Sequence, residues 1–161
     1  MPREQGRADF SSNMVNQEYQ QKLIDLRRTA RVVAGGKRFT FRASLVVGNG
    51  RGEVGLGVGK GRDTALATEK ALRQAKKNII TIPVTEQGSI PHQTEAKFRS
   101  ARVIIKPAVA GHGLKVGGAA RVILNLAGIK NASAKFLSRT KNKINTAKAV
   151  LTALGKFRQN K

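Results

Sequence analysis

The chain has 161 residues, 40% hydrophobic but only 4% aromatic, with 31 Lys and Arg against 9 Asp and Glu, two His and no Cys. That length suits one ordinary domain or two small ones, and the missing Cys excludes disulfides, thiolate metal sites and cysteine nucleophiles. A formal net charge of +22 makes an isolated compact chain repel itself, so a polyanion, nucleic acid above all, is the implied partner.

Residues 1–18 show no hydrophobic period and read as a flexible N-terminal tail. They carry Glu4, Asp9 and Glu18, which argues against a transit peptide. The longest aliphatic runs, such as Leu45-Val46-Val47, are three residues, too short for a membrane span. The simplest reading is a cytoplasmic protein.

From Tyr19 the pattern sharpens. Leu26 to Ala34 reads as a strand with Arg27, Thr29 and Arg31 on one side, and Gly35-Gly36 as a turn. Lys37 to Val47 is a second strand. Phe39, Phe41, Ala43, Leu45 and Val47 alternate with Arg38, Thr40, Arg42 and Ser44, which predicts one buried and one basic face. Asn49-Gly50 signals a hairpin into a third strand, Glu53 to Gly59. There Val54, Leu56 and Val58 alternate with Gly55, Gly57 and Gly59, so one face has no side chains. Such a face implies a close backbone approach, by a helix or by a ribose-phosphate chain. A helix follows from Thr64 to Asn78, capped by Asp63 or Thr64, with Ala65, Thr68, Leu72 and Ala75 as its apolar stripe. A short apolar segment, Ile79 to Val84, closes this β-β-β-α unit.

Pro83, Gly88 and Pro91 mark a boundary. Two strands, Thr94 to Phe98 and Ala101 to Lys106, turn at Arg99-Ser100. A Gly-rich loop leads to a helix from Gly118 to Ala127, ended by Gly128. A weaker strand, Ile129 to Leu137, precedes a last helix, Thr146 to Phe157, with a 3.6-residue apolar period. The fold class is therefore α+β: residues 19–82 form one unit, residues 83–157 a β-β-α-β-α two-layer unit, and residues 158–161 a short basic tail. Residues 96–161 hold 15 Lys and Arg and no acid, whereas solvated faces normally mix signs.

Gly50 to Gly55 satisfies G-x-G-x-x-G literally, but a dinucleotide site needs those glycines between a strand and a helix, and here they make a hairpin. The Walker pattern fails because Gly59-Lys60 is followed by Gly61. Close packing plus phosphate contact at Gly59-Lys60-Gly61-Arg62, before a helix N-terminus, fits better. Arg27, Arg28, Arg31, Lys37, Arg38 and Arg42 gather on the first two strands, and Arg forks match phosphate oxygens. With Arg51, Lys60, Arg62, Lys77, Lys141 and Lys143 they are the candidate RNA-binding residues. His92 and His112 lack neighbouring ligands, and carboxylates are too sparse for paired acid–base chemistry. Neither a metal nor any other cofactor is expected, nor a small-molecule substrate, nor enzymatic activity.

These motifs carry a family likeness. Arg42-Ala43, Leu45-Val46-Val47-Gly48, Gly52-x-Val54-Gly55-x-Gly57-x-Gly59-Lys60, Gly117-Gly118-Ala119-x-Arg121 and Leu126-Ala127-Gly128-Ile129 follow in that order. The chain resembles the bacterial small-subunit ribosomal protein five family over residues 19–157. The resemblance implies a double-stranded-RNA-binding-like first unit and a binding place on small-subunit ribosomal RNA between head and body. It implies a position beside the decoding region and the messenger RNA entry channel, contacts with small-subunit proteins four and eight, and an influence on translational accuracy. Thr29 to Lys37 matches the family's loop near the spectinomycin site, and Gly113 and Arg121 match its boundary with protein four. Two departures stand out: Asn142-Lys143-Ile144-Asn145 where Asn-Pro-Ile-Asn is frequent, and Gly61-Arg62 where Ala often follows Gly-Lys. Two rival readings are a subunit of an RNA-processing enzyme and a nucleoid-type DNA binder.

Overall fold

The computed structural model describes residues 19–158. The expected N-terminal tail, and the C-terminal tail beyond the backbone of Arg158, lie outside them. The elements are β1 (Gln20–Val33), β2 (Gly36–Gly48), β3 (Glu53–Gly61), α1 (Thr64–Lys77), β4 (Ile79–Thr81), β5 (Thr94–Phe98), β6 (Ala101–Pro107), β7 (Leu114–Lys115), α2 (Gly118–Leu126), β8 (Ala132–Phe136) and α3 (Lys143–Gly155), closed by a 3-10 turn. They build two four-stranded sheets, ordered β1-β2-β3-β4 and β5-β6-β8-β7, the first antiparallel and the second mixed.

The bare face of β3 receives α1. A Cβ added at Gly55, Gly57 or Gly59 would run into the backbone carbonyl of Ala75, Ala71 or Ala67 respectively. The approaching backbone is thus that of the helix. The buried stripe of α1 is Ala67, Ala71 and Ala75, not the expected Ala65, Thr68, Leu72 and Ala75. Only the smallest side chains fit where the helix lies on glycine backbone, so Ala65 turns to solvent and Leu72 sits at the flank. Ala43, Leu45 and Val47 of β2 complete this small core.

The other face of β2 is also buried near the β2–β3 hairpin, where the alternation predicted a basic surface, and it lies beside the apolar face expected of β3. Val46, Val54 and Leu56 belong to one continuous core with Ile123, Leu124 and Leu126 of α2 and with Val150 and Leu154 of α3. The β2–β3 hairpin loop docks on the end of α2: Gly50 N donates to Leu126 O at 2.9 Å and Gly52 N to Ala127 O at 2.8 Å. The basic reading holds only for the distal half of β2, which reaches beyond the second unit.

β1 starts six residues before the expected Leu26. Its pairing runs Leu23↔Leu45 and then Asp25↔Ser44, so Ile24 is an extra residue, a β-bulge. The bulge breaks the period of two, which hides the first part of the strand from pattern reading. β7 has no signature in the sequence: it is a two-residue parallel pairing within the Gly-rich loop, too short to carry a period. β8 begins at Ala132 rather than Ile129 because Gly128, at φ +83°, and Ile129, whose N donates to Leu124 O, still belong to the exit of α2. α3 begins three residues early because the Asn142 side chain accepts from Ile144 N and Asn145 N, an N-cap with Lys143 in the first helical position.

Replacing Gly57 with Ala drives a methyl into the Ala71 carbonyl, and we expect a loss of about 3 kcal/mol, the upper range of overpacking. Gly155→Ala, with open space at its Cβ, is expected to be neutral or to stabilise by up to about 1 kcal/mol. Urea denaturation of the two variants checks both.

Candidate nucleic-acid interface

The register of the first sheet decides which cations share a face. Directly paired residues in an antiparallel ladder lie on the same side. Arg27 pairs with Arg42, and Arg42 with Lys60, a row of three cations across three strands. Two residues farther out, Thr29 pairs with Thr40, their hydroxyls 2.7 Å apart, and beyond them Arg31 pairs with Arg38. Like charges directly opposite destabilise a sheet. Within β1–β3 this face has one carboxylate, Asp25.

The bulge at Ile24 is what puts them there. In an unbroken register Arg27 would oppose Phe41 and Arg31 would oppose Lys37, so the arginines would turn to the α1 side. The bulge advances the chain by one residue and moves them to the outer face.

Asp25, with its side chain only 10% exposed, takes Arg27 Nε at 2.9 Å on one oxygen and Lys143 Nζ at 3.6 Å on the other. It therefore orients one member of the cation row and joins β1 to the first turn of α3. Arg42 Nε and Ser44 Oγ, both on this face, are buried without a hydrogen-bond partner.

The remaining candidates are dispersed. Arg28 and Lys37 lie on the opposite face, where the Arg28 guanidinium stacks 4.4 Å from the Phe39 ring centroid. Phe39 was expected in the core, but it is 46% exposed because the hairpin runs past the end of α1. Arg51 is at the exposed tip of the docked hairpin, and Arg62 and Lys77 are exposed near opposite ends of α1. At the α1 N-terminus Asp63 Oδ1 accepts from Thr64 N at 2.6 Å. A carboxylate already occupies the position where an anion would bind, so the helix end contributes less to phosphate contact than the sheet.

In the second unit Lys141 is exposed and Lys143 is held by Asp25. Gly113, at φ +72°, and Arg121 share a corner: Arg121 Nη2 donates to the carbonyl of Leu114, the next residue after Gly113. His92 packs edge-on against Phe157 at 5.0 Å, and no group of three or more potential metal ligands occurs among the described residues. No described helix is long and apolar enough to cross a membrane.

Residues 19–83 match the family model described as ribosomal protein S5, N-terminal domain, and residues 96–161 match that of ribosomal protein S5, C-terminal domain. The chain is 47% identical over 137 residues to the small ribosomal subunit protein uS5c of Guillardia theta, covering 85% of this chain and 80% of that one. It is 45% identical over 140 residues to the protein of the same name from Gracilaria tenuistipitata var. liui, covering 87% and 81%. To the small ribosomal subunit protein uS5 of Thermosynechococcus vestitus it is 45% identical over 141 residues, covering 88% and 80%.

Removing the one carboxylate of the face tests its place in the fold. Asp25→Ala leaves Arg27 and Lys143 unpaired, and we expect a loss of on the order of 1 kcal/mol, because half the pair is exposed. Urea titrations at about 0.05 and 0.5 M salt should show the loss shrinking as screening increases.

Proposed function

The chain belongs to the ribosomal protein S5 family, and from that premise we propose that its outer sheet face binds small-subunit ribosomal RNA. Membership makes it a structural constituent of the small ribosomal subunit and not an enzyme. The observation that carries the RNA reading is the set of in-register cations, Arg27, Arg42, Lys60, Arg31 and Arg38, crossed by a single carboxylate. A phosphate backbone relieves the repulsion within such a set, supplies acceptors to its guanidinium groups, and releases its own counterions. The threonine pair between the cation rows adds hydroxyls but no charge. This suits recognition of RNA by backbone and shape rather than by base edges.

The finer placement follows the family resemblance. The protein holds RNA between head and body of the subunit, beside the decoding region and the messenger entry, and influences translational accuracy there. Lys37 and the β1–β2 turn fall in the loop near the spectinomycin site. The corner of Gly113 and Arg121 faces protein four, and protein eight is the second protein neighbour. Gly113 supports this reading, since nothing within 4 Å meets a Cβ placed on it and its left-handed backbone leaves the corner open to a partner.

Arg42→Glu puts an acid between Arg27 and Lys60. The variant is expected to fold but to fall largely out of the small-subunit peak on a sucrose gradient. Arg38→Glu, at the periphery of the set, should do the same more weakly. Full incorporation of both variants would overturn the sheet face as the RNA contact. Affinity of the wild-type chain for naked ribosomal RNA is expected to fall about 10³–10⁵-fold between about 50 and 200 mM salt if about 6–10 phosphates are neutralised.

A further inference from the structure

The two-residue turn between β5 and β6 contains Arg99 at φ +51°, the one non-Gly residue with positive φ among the described residues. An L side chain is strained there and Gly is not, so an Arg at that position costs stability. Strain of this kind marks a place where the side chain is kept for another reason. The surroundings say which. The Arg99 guanidinium lies 5.7 Å from the Phe98 ring centroid, and Lys148 Nζ from α3 lies 5.2 Å from the same centroid. Two cations from different elements thus converge on one aromatic ring, and both are exposed.

The turn is also braced. Ser100 Oγ donates to Thr140 Oγ1 at 3.4 Å and accepts from Asn145 Nδ2 at 3.3 Å. This ties the turn to the segment carrying Lys141 and to the start of α3. The nearest carboxylate along β5, Glu95, is already paired with Arg102, and its backbone carbonyl accepts from Lys156. No acid follows it in the chain. Among the described residues Arg99, Lys141 and Lys148 form no ion pair.

We propose that Arg99 and Lys148, with Lys141 beside them, form a second phosphate-binding site in the C-terminal unit, independent of the sheet face of the first unit. It rests on the reading of the chain as an RNA-binding constituent of the small subunit. Its ligand is an RNA phosphate backbone, presented either by ribosomal RNA or by a single-stranded messenger. Contact with the Phe98 ring restrains the two cations, so less freedom is lost when a phosphate docks.

The test uses the full chain, its Arg99→Gly and Lys148→Gln variants, and Arg42→Glu as a reference. Binding is measured against transcribed small-subunit RNA and against unstructured single-stranded RNA at several salt concentrations. Arg99→Gly is expected to melt at the same or a higher temperature than the parent while binding RNA more weakly. For each variant, the loss of affinity between about 50 and 200 mM salt should be smaller by about three- to fourfold, one phosphate contact fewer. An effect confined to transcribed small-subunit RNA assigns the site to the ribosomal strand, and one seen equally with unstructured RNA assigns it to a messenger. A stable Arg99→Gly that binds with parental affinity and salt slope overturns the proposal if Lys148→Gln does the same. So does an Arg99→Gly that melts earlier while Lys148→Gln leaves binding unchanged, for the residues would then be structural. If Arg42→Glu alone weakens binding, this site fails and the sheet reading stands. If the parent chain does not bind structured RNA at all, both fail together.

Discussion

Everything in the fold turns on β3 being covered on both faces. On one side Gly55, Gly57 and Gly59 let the α1 backbone lie directly on the sheet. On the other, Val54 and Leu56 enter the core that holds α2 and α3. A strand with ordinary side chains on both sides would hold α1 off by a layer of atoms and open the small alanine core. A strand bare on both sides would have nothing to contribute to the second unit. With few aromatics in the chain, close contact between small residues replaces bulk, and the density of that contact is what dispersion rewards.

The same strand fixes the relation between the two units. Its hairpin loop donates two backbone N–H groups to the last carbonyls of α2, and Gly128 leaves room for Gly50 to come close. Helix ends always leave carbonyls in need of donors. Here those donors come from the other unit, so the helix terminus and the hairpin satisfy each other. Asp25 adds an ionic tie between β1 and α3 on the outer side. The surface thereby holds cations from both units against one scaffold.

Electrostatics and packing divide the sheet along its length. Near the hairpin with α2, both faces of β2 are apolar and buried. Toward the β1–β2 turn the strands leave the protein and carry Arg31, Arg38 and Lys37 into solvent. An exposed two-stranded ribbon is marginal by itself, and this one concentrates positive charge. Neutralising that charge with a polyanion would relieve the repulsion along the ribbon.

The primary sequence by itself determined the partner class, the order of the larger elements and the bare face of β3. Net charge, the acid-free stretch after Glu95 and a glycine at every second residue need no coordinates to interpret. Tertiary structure decided what covers each face. Whether the glycines met a helix or RNA, and whether the side of β2 carrying Ser44 and Val46 was wet or buried, depended on elements tens of residues away. One extra residue at Ile24 decided which side of the sheet Arg27 and Arg31 occupy, since a slip of one exchanges the two faces of a strand. Lys143 looked like a free RNA ligand until the fold brought Asp25 to it across more than a hundred residues. Local pattern records the period of each segment, but the partner of each face is set by long-range contacts, and those form only when the chain is folded.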